Sequence, residues 1–336
     1  SRHERTCDLG DAVMPMRAAL SAGLVAAAQR DARVVLLTGD HGYALFDDFR
    51  RLCPSQYLNA GIAEQNMIGV AAGLAKRGYR PIVYGLSAFV PMRVLEQIKI
   101  DVCYQRLPVV FLGDGAGFVY SKLGTSHQCT EDLAALRAMP QLSILSPADA
   151  WEMTACMELA MQTEAPVYLR VGKSDAGTVH SGPPRIEWGE LLCLEPGQGN
   201  VAWIATGAMV PAARRCAASQ PGSSVWSAPS VKPLSADTVA EICANHRAVV
   251  VLEEHSIHGG LASAVAEIAC SLAPVPVCAV GVRDRFSQYC GSYEYLLQEH
   301  ELDDVAVINR VGEFLLRHKR LVSRRPSWTT SSRRAA

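Results

Sequence analysis

Residues 61–89 of the chain read GIAEQNMIGVAAGLAKRGYRPIVYGLSAF. Ile62, Met67, Ile68, Val70, Ala71, Ala72 and Leu74 make the first half a nearly apolar helical stretch, expected over 62–76. Gly78 supplies the stop, and Ile82 to Gly85 then reads as a short strand. A helix feeding a buried, β-branched strand is the repeating unit of a parallel sheet that carries helices on both faces.

The alternation extends outward in both directions. Strands are expected at Val34 to Leu37, Val109 to Leu112, Leu142 to Leu145 and Val167 to Val171, with helices over 14–30, 92–105 and 149–162. Residues 172–200, GKSDAGTVHSGPPRIEWGELLCLEPGQGN, are rich in Gly and Pro and read as a connection. A second alternation follows, with strands at Val201 to Ala205, Ser224 to Trp226, Ala248 to Leu252 and Val275 to Val280. Its helices fall near 209–219, 235–245, 260–272 and 303–318. The expected fold class is therefore α/β, with two doubly wound domains at 1–175 and 201–320. A linker at 176–200 and a disordered, basic tail at 321–336 complete the division.

Composition narrows the function classes. Of 336 residues, 49% are hydrophobic and 19% charged, which is ample for two cores and too little charge for a disordered chain. Thirty-two basic residues against thirty-three acidic ones leave no positive field for nucleic acid. No apolar run reaches the ~18 to 20 residues that cross a bilayer, and SRHERTCDLGD lacks the apolar segment of a signal peptide. A soluble, cytoplasmic protein with no nucleic-acid or membrane partner is expected. The eleven cysteines show no C-x-x-C pair and no zinc-finger spacing, so they read as reduced, mostly buried side chains.

Glu64 places a carboxylate in the first turn of an otherwise apolar helix. Residue types alone leave two readings open. One is a helix-start carboxylate favoured by the macrodipole. The other is a buried acid, its pKa raised by desolvation, that shares a proton with a ligand nitrogen.

Three further stretches accompany the first in order: LEQIKIDVCYQRLPVVFLGDGAG (95–117), LGTSHQCTEDLAALRAMPQLSILSPAD (123–149) and GVRDRFSQYCGSYEYLL (281–297). Together, from about Arg17 to about Gly312, they closely resemble the pyrimidine-binding and C-terminal portion of transketolase-like thiamin diphosphate enzymes. The resemblance implies that Glu64 is catalytic, hydrogen-bonding N1′ of the aminopyrimidine and stabilising its imino tautomer. It makes Phe89 the ring that stacks on the pyrimidine, with Leu86 and Met92 where some relatives carry further aromatics. Asp40 matches an acid near the cofactor pocket, and Arg93 an arginine that supports it. His127, in Gly124-Thr125-Ser126-His127, takes the place of a histidine facing the reacting carbon and the substrate. Arg17 and Lys173 fall where relatives hold a substrate phosphate, and Arg170, which lies beside the second, is grouped with them as a substrate residue. Glu131 and Asp132 read as helix-start carboxylates without a catalytic task.

The departures from the family pattern matter equally. The family holds the diphosphate through Mg²⁺ with a Gly-Asp-Gly motif and an Asn about 25 to 30 residues later, because the metal takes oxygen ligands. Gly113-Asp114-Gly115 has no such Asn after it and lies in the pyrimidine-type half, so the match reads as coincidence and no metal ligand is assigned to this chain. The missing half is expected on an N-terminal, diphosphate-binding partner subunit that carries the Mg²⁺, the two pairing as a dimer of heterodimers. Leu123, Gly115, Ala44 and Thr125-Ser126 replace an Asp, a substrate-facing His, a phosphate-contacting Ser and Pro-Thr of full-length relatives. Lost hydrogen-bonding groups change discrimination, so the sugar or sugar phosphate need not be the usual pentose phosphate.

The expected function is that of the C-terminal subunit of a split transketolase-like enzyme, moving a two-carbon ketol unit from a ketose to an aldehyde. Two alternatives stay open. One is a deoxyxylulose-synthase-like or 2-oxoacid-dehydrogenase β-type subunit acting on a 2-oxoacid. The other is a non-catalytic scaffold or regulatory subunit, against which the joint presence of Glu64, Phe89 and His127 argues.

Overall fold

The computed structural model describes residues 14–319; the tail assigned to 321–336 lies outside the described residues, as do residues 1–13 with Cys7. In chain order the strands are β1 Val34–Thr38, β2 Tyr57–Asn59, β3 Arg80–Leu86, β4 Val110–Asp114, β5 Ser143–Leu145 and β6 Val167–Val171, then β7 Leu192–Glu195, β8 Val201–Ala205, β9 Ser224–Ser227, β10 Ser230–Lys232, β11 Ala248–Ser256 and β12 Val277–Val282. They form two sheets, ordered β10-β5-β6-β4-β3-β1-β2 and β12-β11-β8-β9-β7. Each sheet is parallel except at one edge, where β10 runs against β5 and β7 against β9.

Both faces of each sheet are covered, as the unbroken apolar strands require. On one face of the first sheet, Leu36, Ile82, Leu112 and Leu169 pack with Leu20 and Leu24 of the helix Met16–Arg30 and Met153 of the helix Ala150–Gln162. On the other, Leu37, Val83 and Phe111 meet Met67, Ile68, Ala71 and Ala72 of the helix Glu64–Lys76. That helix buries positions 64, 67, 68, 71, 72 and 75, the three- and four-residue spacing of a single apolar stripe. The second sheet has its own two layers, one of them built from Trp203, Val250 and Leu252 against the helices Val210–Ala217 and Asp304–Arg317.

Three expectations need correction. The linker 176–200 carries structure that belongs to both units: Leu192–Glu195 is β7, and Ile186 and Trp188 pack on the core of the first sheet. The boundary at 201 is not clean either, because β10 leaves the second unit and pairs Ser230 with Leu145 of β5. Without β10 the edge of β5 would expose unpaired backbone groups, and covering it ties the two units together. Third, the stretch 92–105 is no regular helix. A 3₁₀ turn at Met92–Val94 leads through Leu95–Gln97 into wide π turns at Ile98–Cys103.

Among the described residues no helix is long and apolar enough to cross a membrane. Ten cysteines there are free thiols.

Candidate active site at the strand ends

In an open parallel sheet, ligands gather outside the carboxyl ends of the strands, and the candidate residues collect there. β1 ends at Thr38, and Ala60 N–H donates to the Thr38 carbonyl at 2.7 Å. Asn59 Oδ1 accepts from Gly61 N–H at 2.8 Å, and Gly61, at φ +70°, turns the chain into the helix that begins with Glu64. The Glu64 side chain is 9% exposed, although it stands in a first turn. It is thus both a helix-start carboxylate and a buried one.

After β3 the chain folds over Leu86, which is buried, and Phe89 N–H donates to the Leu86 carbonyl at 2.7 Å. Three groups surround the Phe89 ring. The Arg93 guanidinium lies 4.1 Å from its centre, the His41 ring 5.6 Å away and tilted, and the His127 ring 5.3 Å away, edge-on. Arg93 Nη1 also donates to Glu64 Oε1 at 3.0 Å. Asp40 Oδ1 lies 3.0 Å from His41 Nδ1, and Ser126 Oγ lies 3.0 Å from His127 Nδ1. Met92 is half-buried in the turn that carries Arg93. Glu64, Phe89, Arg93, His127 and Asp40 thus belong to one constellation, with His41 added.

This constellation fits an aminopyrimidine. A planar cation already lies on Phe89 with one N–H on Glu64, so a flat nitrogen heterocycle in its place would meet the same carboxyl group and the same ring face. Glu64 would hold its ring nitrogen and Phe89 its face. Among the described residues no group of three His, Cys, Asp or Glu side chains is placed to hold a metal.

Arg17 belongs to a second cluster. Its Nη2 donates to Asp114 Oδ2 at 2.9 Å, and the same oxygen accepts from the hydroxyls of Tyr84 at 2.6 Å and Tyr120 at 3.1 Å. Burial raises both phenol pKa values, and the Asp114 charge raises them further, so both remain donors. Gly115 must be glycine: it has φ +77°, and a Cβ there would stand 2.0 Å from the Tyr120 ring. Asp114 is therefore a structural hub, a role that the coincidence reading of Gly113-Asp114-Gly115 did not foresee.

Arg170 stands apart from the substrate group. It is 3% exposed, with Nε on Asp132 Oδ2 at 2.8 Å and Nη2 on the Glu254 carbonyl at 2.9 Å. Its burial and these two internal bonds speak against a contact with a substrate phosphate. Lys173 pairs with Asp175 and lies 5.4 Å from the centre of the Tyr293 ring. A groove of about 820 Å³ between the helices Met16–Arg30 and Ala150–Gln162 is lined by Ala19, Gly23, Trp151 and Met157; it contains none of the candidate residues.

His41, Tyr84, Asp114 and Tyr120 were not singled out as site residues by the sequence. His41 follows Asp40 directly, and a histidine one step past a strand end that already held a candidate acid was the available signal.

Comparison with known proteins accords with this geometry. The family model of the transketolase pyrimidine-binding domain matches residues 12–178, and that of the transketolase C-terminal domain matches residues 189–307. The chain is 33% identical to the 6-deoxy-6-sulfo-D-fructose transketolase subunit of Clostridium sp., over 85% of this chain and 90% of that protein. It is 31% identical to a subunit of the apulose-4-phosphate transketolase of Phocaeicola vulgatus, over 87% of this chain and 95% of that protein. It is 34% identical to the 1-deoxy-D-xylulose-5-phosphate synthase of Oleidesulfovibrio alaskensis, but spans 47% of that enzyme. Among solved structures, a split gene transketolase described as an inactive beta4 tetramer superposes with a TM-score of 0.81 at 34% identity, covering 90% of this chain and 99% of that one. The transketolase of Campylobacter jejuni, at 14% identity and a TM-score of 0.76, shares the fold over 91% of this chain and 48% of its own.

Proposed function

Because the chain belongs to the transketolase family, we propose that it is the C-terminal subunit of a split transketolase. In this reading it transfers a two-carbon ketol unit from a ketose donor to an aldehyde acceptor, at an active site shared with an N-terminal subunit. The observation that carries the proposal is Glu64, a buried carboxylate at a helix start, joined to Phe89 through one planar cation.

Thiamin diphosphate, when bound, supplies the carbanion chemistry. Glu64 holds a proton against pyrimidine N1′, a task that needs a carboxyl group shielded from water. Phe89 supports the pyrimidine face and so fixes its orientation. In this reading His127, edge-on to Phe89, would hold a substrate hydroxyl and move its proton. Arg17, still 41% exposed beside Asp114, offers its remaining N–H groups to the substrate. The partner subunit carries the Mg²⁺ and the diphosphate grip, and the two subunits assemble as a dimer of heterodimers. The free cysteines suit a reducing cytoplasm.

Reconstitution with the partner tests the reading. Ketol transfer from a sugar phosphate is expected, with no carbon dioxide released from pyruvate. The 34% identity to the synthase favours a second reading, in which pyruvate is decarboxylated; carbon dioxide release would select it. Tight, Mg²⁺-dependent thiamin diphosphate binding by the isolated chain would defeat the shared site.

A further inference from the structure

We propose that Arg93 is a built-in surrogate for the cofactor's aminopyrimidine, and that thiamin diphosphate seats itself on this chain by displacing it. The inference rests on the reading of Glu64 and Phe89 given above. Arg93 Nη1 donates to Glu64 Oε1 at 3.0 Å, and its guanidinium lies 4.1 Å from the centre of the Phe89 ring. Those are the two contacts that the pyrimidine needs. A guanidinium and an aminopyrimidine are both flat N–C–N units that set a nitrogen on a carboxyl group, the first through an N–H on the carboxylate and the second through N1′ on a shared proton, so they compete for one carboxyl group and one aromatic face.

The arrangement has a physical reason. A buried carboxylate without a partner is costly, and Glu64 is 9% exposed in an apolar helix start. Arg93 keeps that charge paired. Its own side chain is 45% exposed and rides on a 3₁₀ turn of three residues, Met92–Val94, so the guanidinium can swing toward solvent when a ring nitrogen that shares the Glu64 proton takes its place. Pairing of this kind lowers cofactor affinity below what the slot alone would give. A charge-assisted hydrogen bond and a cation–π contact, both screened by partial exposure, correspond to about tenfold.

The test uses the full chain assembled with its N-terminal partner, titrated with thiamin diphosphate and Mg²⁺ by tryptophan fluorescence and calorimetry. Arg93→Met keeps the apolar stem and removes the guanidinium. It is expected to lower Kd about tenfold and to raise the association rate. Arg93→Lys, which keeps a charge near Glu64 but loses the flat stack, should fall between, and it carries the comparison if Arg93→Met assembles poorly. Thiamin without its diphosphate should show the same ratio between variants. Equal or weaker cofactor binding by both variants overturns the proposal, because Arg93 would then be a bystander or a cofactor contact. If neither the wild-type assembly nor any variant binds thiamin diphosphate, the reading of the site falls and the surrogate with it. That outcome is distinct from measurable affinities that do not change.

Discussion

Arg170 Nε lies 2.8 Å from Asp132 Oδ2, and both side chains are withdrawn from solvent. Tyr168 hydroxyl donates to the same carboxylate oxygen, and Arg170 reaches on to the Glu254 carbonyl of the second unit. Burial favours the uncharged forms of both partners, but the Arg170 charge and hydrogen bonds still lower the Asp132 pKa, and Asp132 raises that of Arg170. The pair therefore stays ionised and joins the two units. Arg170→Met should strand a buried carboxylate and cost about 3 to 5 kcal/mol of unfolding free energy. Adding Asp132→Leu should recover part of that loss. Urea denaturation of the single and double variants checks this. A fully stable Arg170→Met with a raised substrate KM would return Arg170 to the substrate channel.

Glu64→Gln keeps the shape of the side chain and an acceptor for Arg93 but cannot share a proton in the same way. Turnover of the reconstituted enzyme should fall by at least about a hundredfold, while size exclusion shows an unchanged assembly. Preserved turnover would favour the scaffold reading.

How far the sequence reaches can be argued from these same residues. The helix Glu64–Lys76 and β3 were legible because their periodicity is local and needs no distant partner. β10 was not legible, because its pairing with β5 is set by an unsatisfied edge far away in the chain. β7 was hidden among Gly and Pro residues that also make turns. Glu64, Phe89, Arg93 and His127 were singled out through the motifs that carry the resemblance, and the structure gathers them at one end of the sheet. Arg170 misled because the sequence displays a charge but not its carboxylate 38 positions away. His41 was missed because only the tertiary fold brings the loop after β1 against Phe89.

His180 supplies a pH-dependent contact outside the site. Burial works against the charged ring, but the Nε2 contact with Glu152 at 2.9 Å, with Asp149 nearby, raises its pKa above the ordinary value. A folded value above the unfolded one means that the folded protein binds the proton more tightly. The stabilisation is full below pH about 6.5 and is lost as pH rises through the raised value. His180→Gln should therefore lower the melting temperature at pH about 5.5 and approach wild type at pH about 8.5, an effect of up to about 1 kcal/mol. Equal differences at both pH values would rule this out.

Glu254 gives a second pH test, on a carboxylate with no exposed surface to speak of. It sits in β11 and accepts from Phe118 N–H of the first unit and from the Tyr293 hydroxyl of the second. Gly117 makes room for it: a Cβ there, at φ +70°, would come within 2.2 Å of Glu254 Oε1. Burial raises its pKa above 4.5, and the Phe118 and Tyr293 donors, with Arg170 and Lys173, only partly counter that. The folded protein then keeps the proton to higher pH than the unfolded chain does. Stability falls as pH rises from about 4.5 through the raised folded value, since ionising the buried group opposes folding. Glu254→Gln removes the titration and keeps an acceptor for Phe118, so its stability should vary less with pH across that window and should match or exceed wild type at pH about 7. Gly117→Ala should destabilise both proteins alike, through its strained φ and through the side-chain end of residue 254, which Gln places in the same space. Identical pH slopes for wild type and Glu254→Gln would mean that this carboxylate keeps its charge in the seam, held there by Arg170 and Lys173.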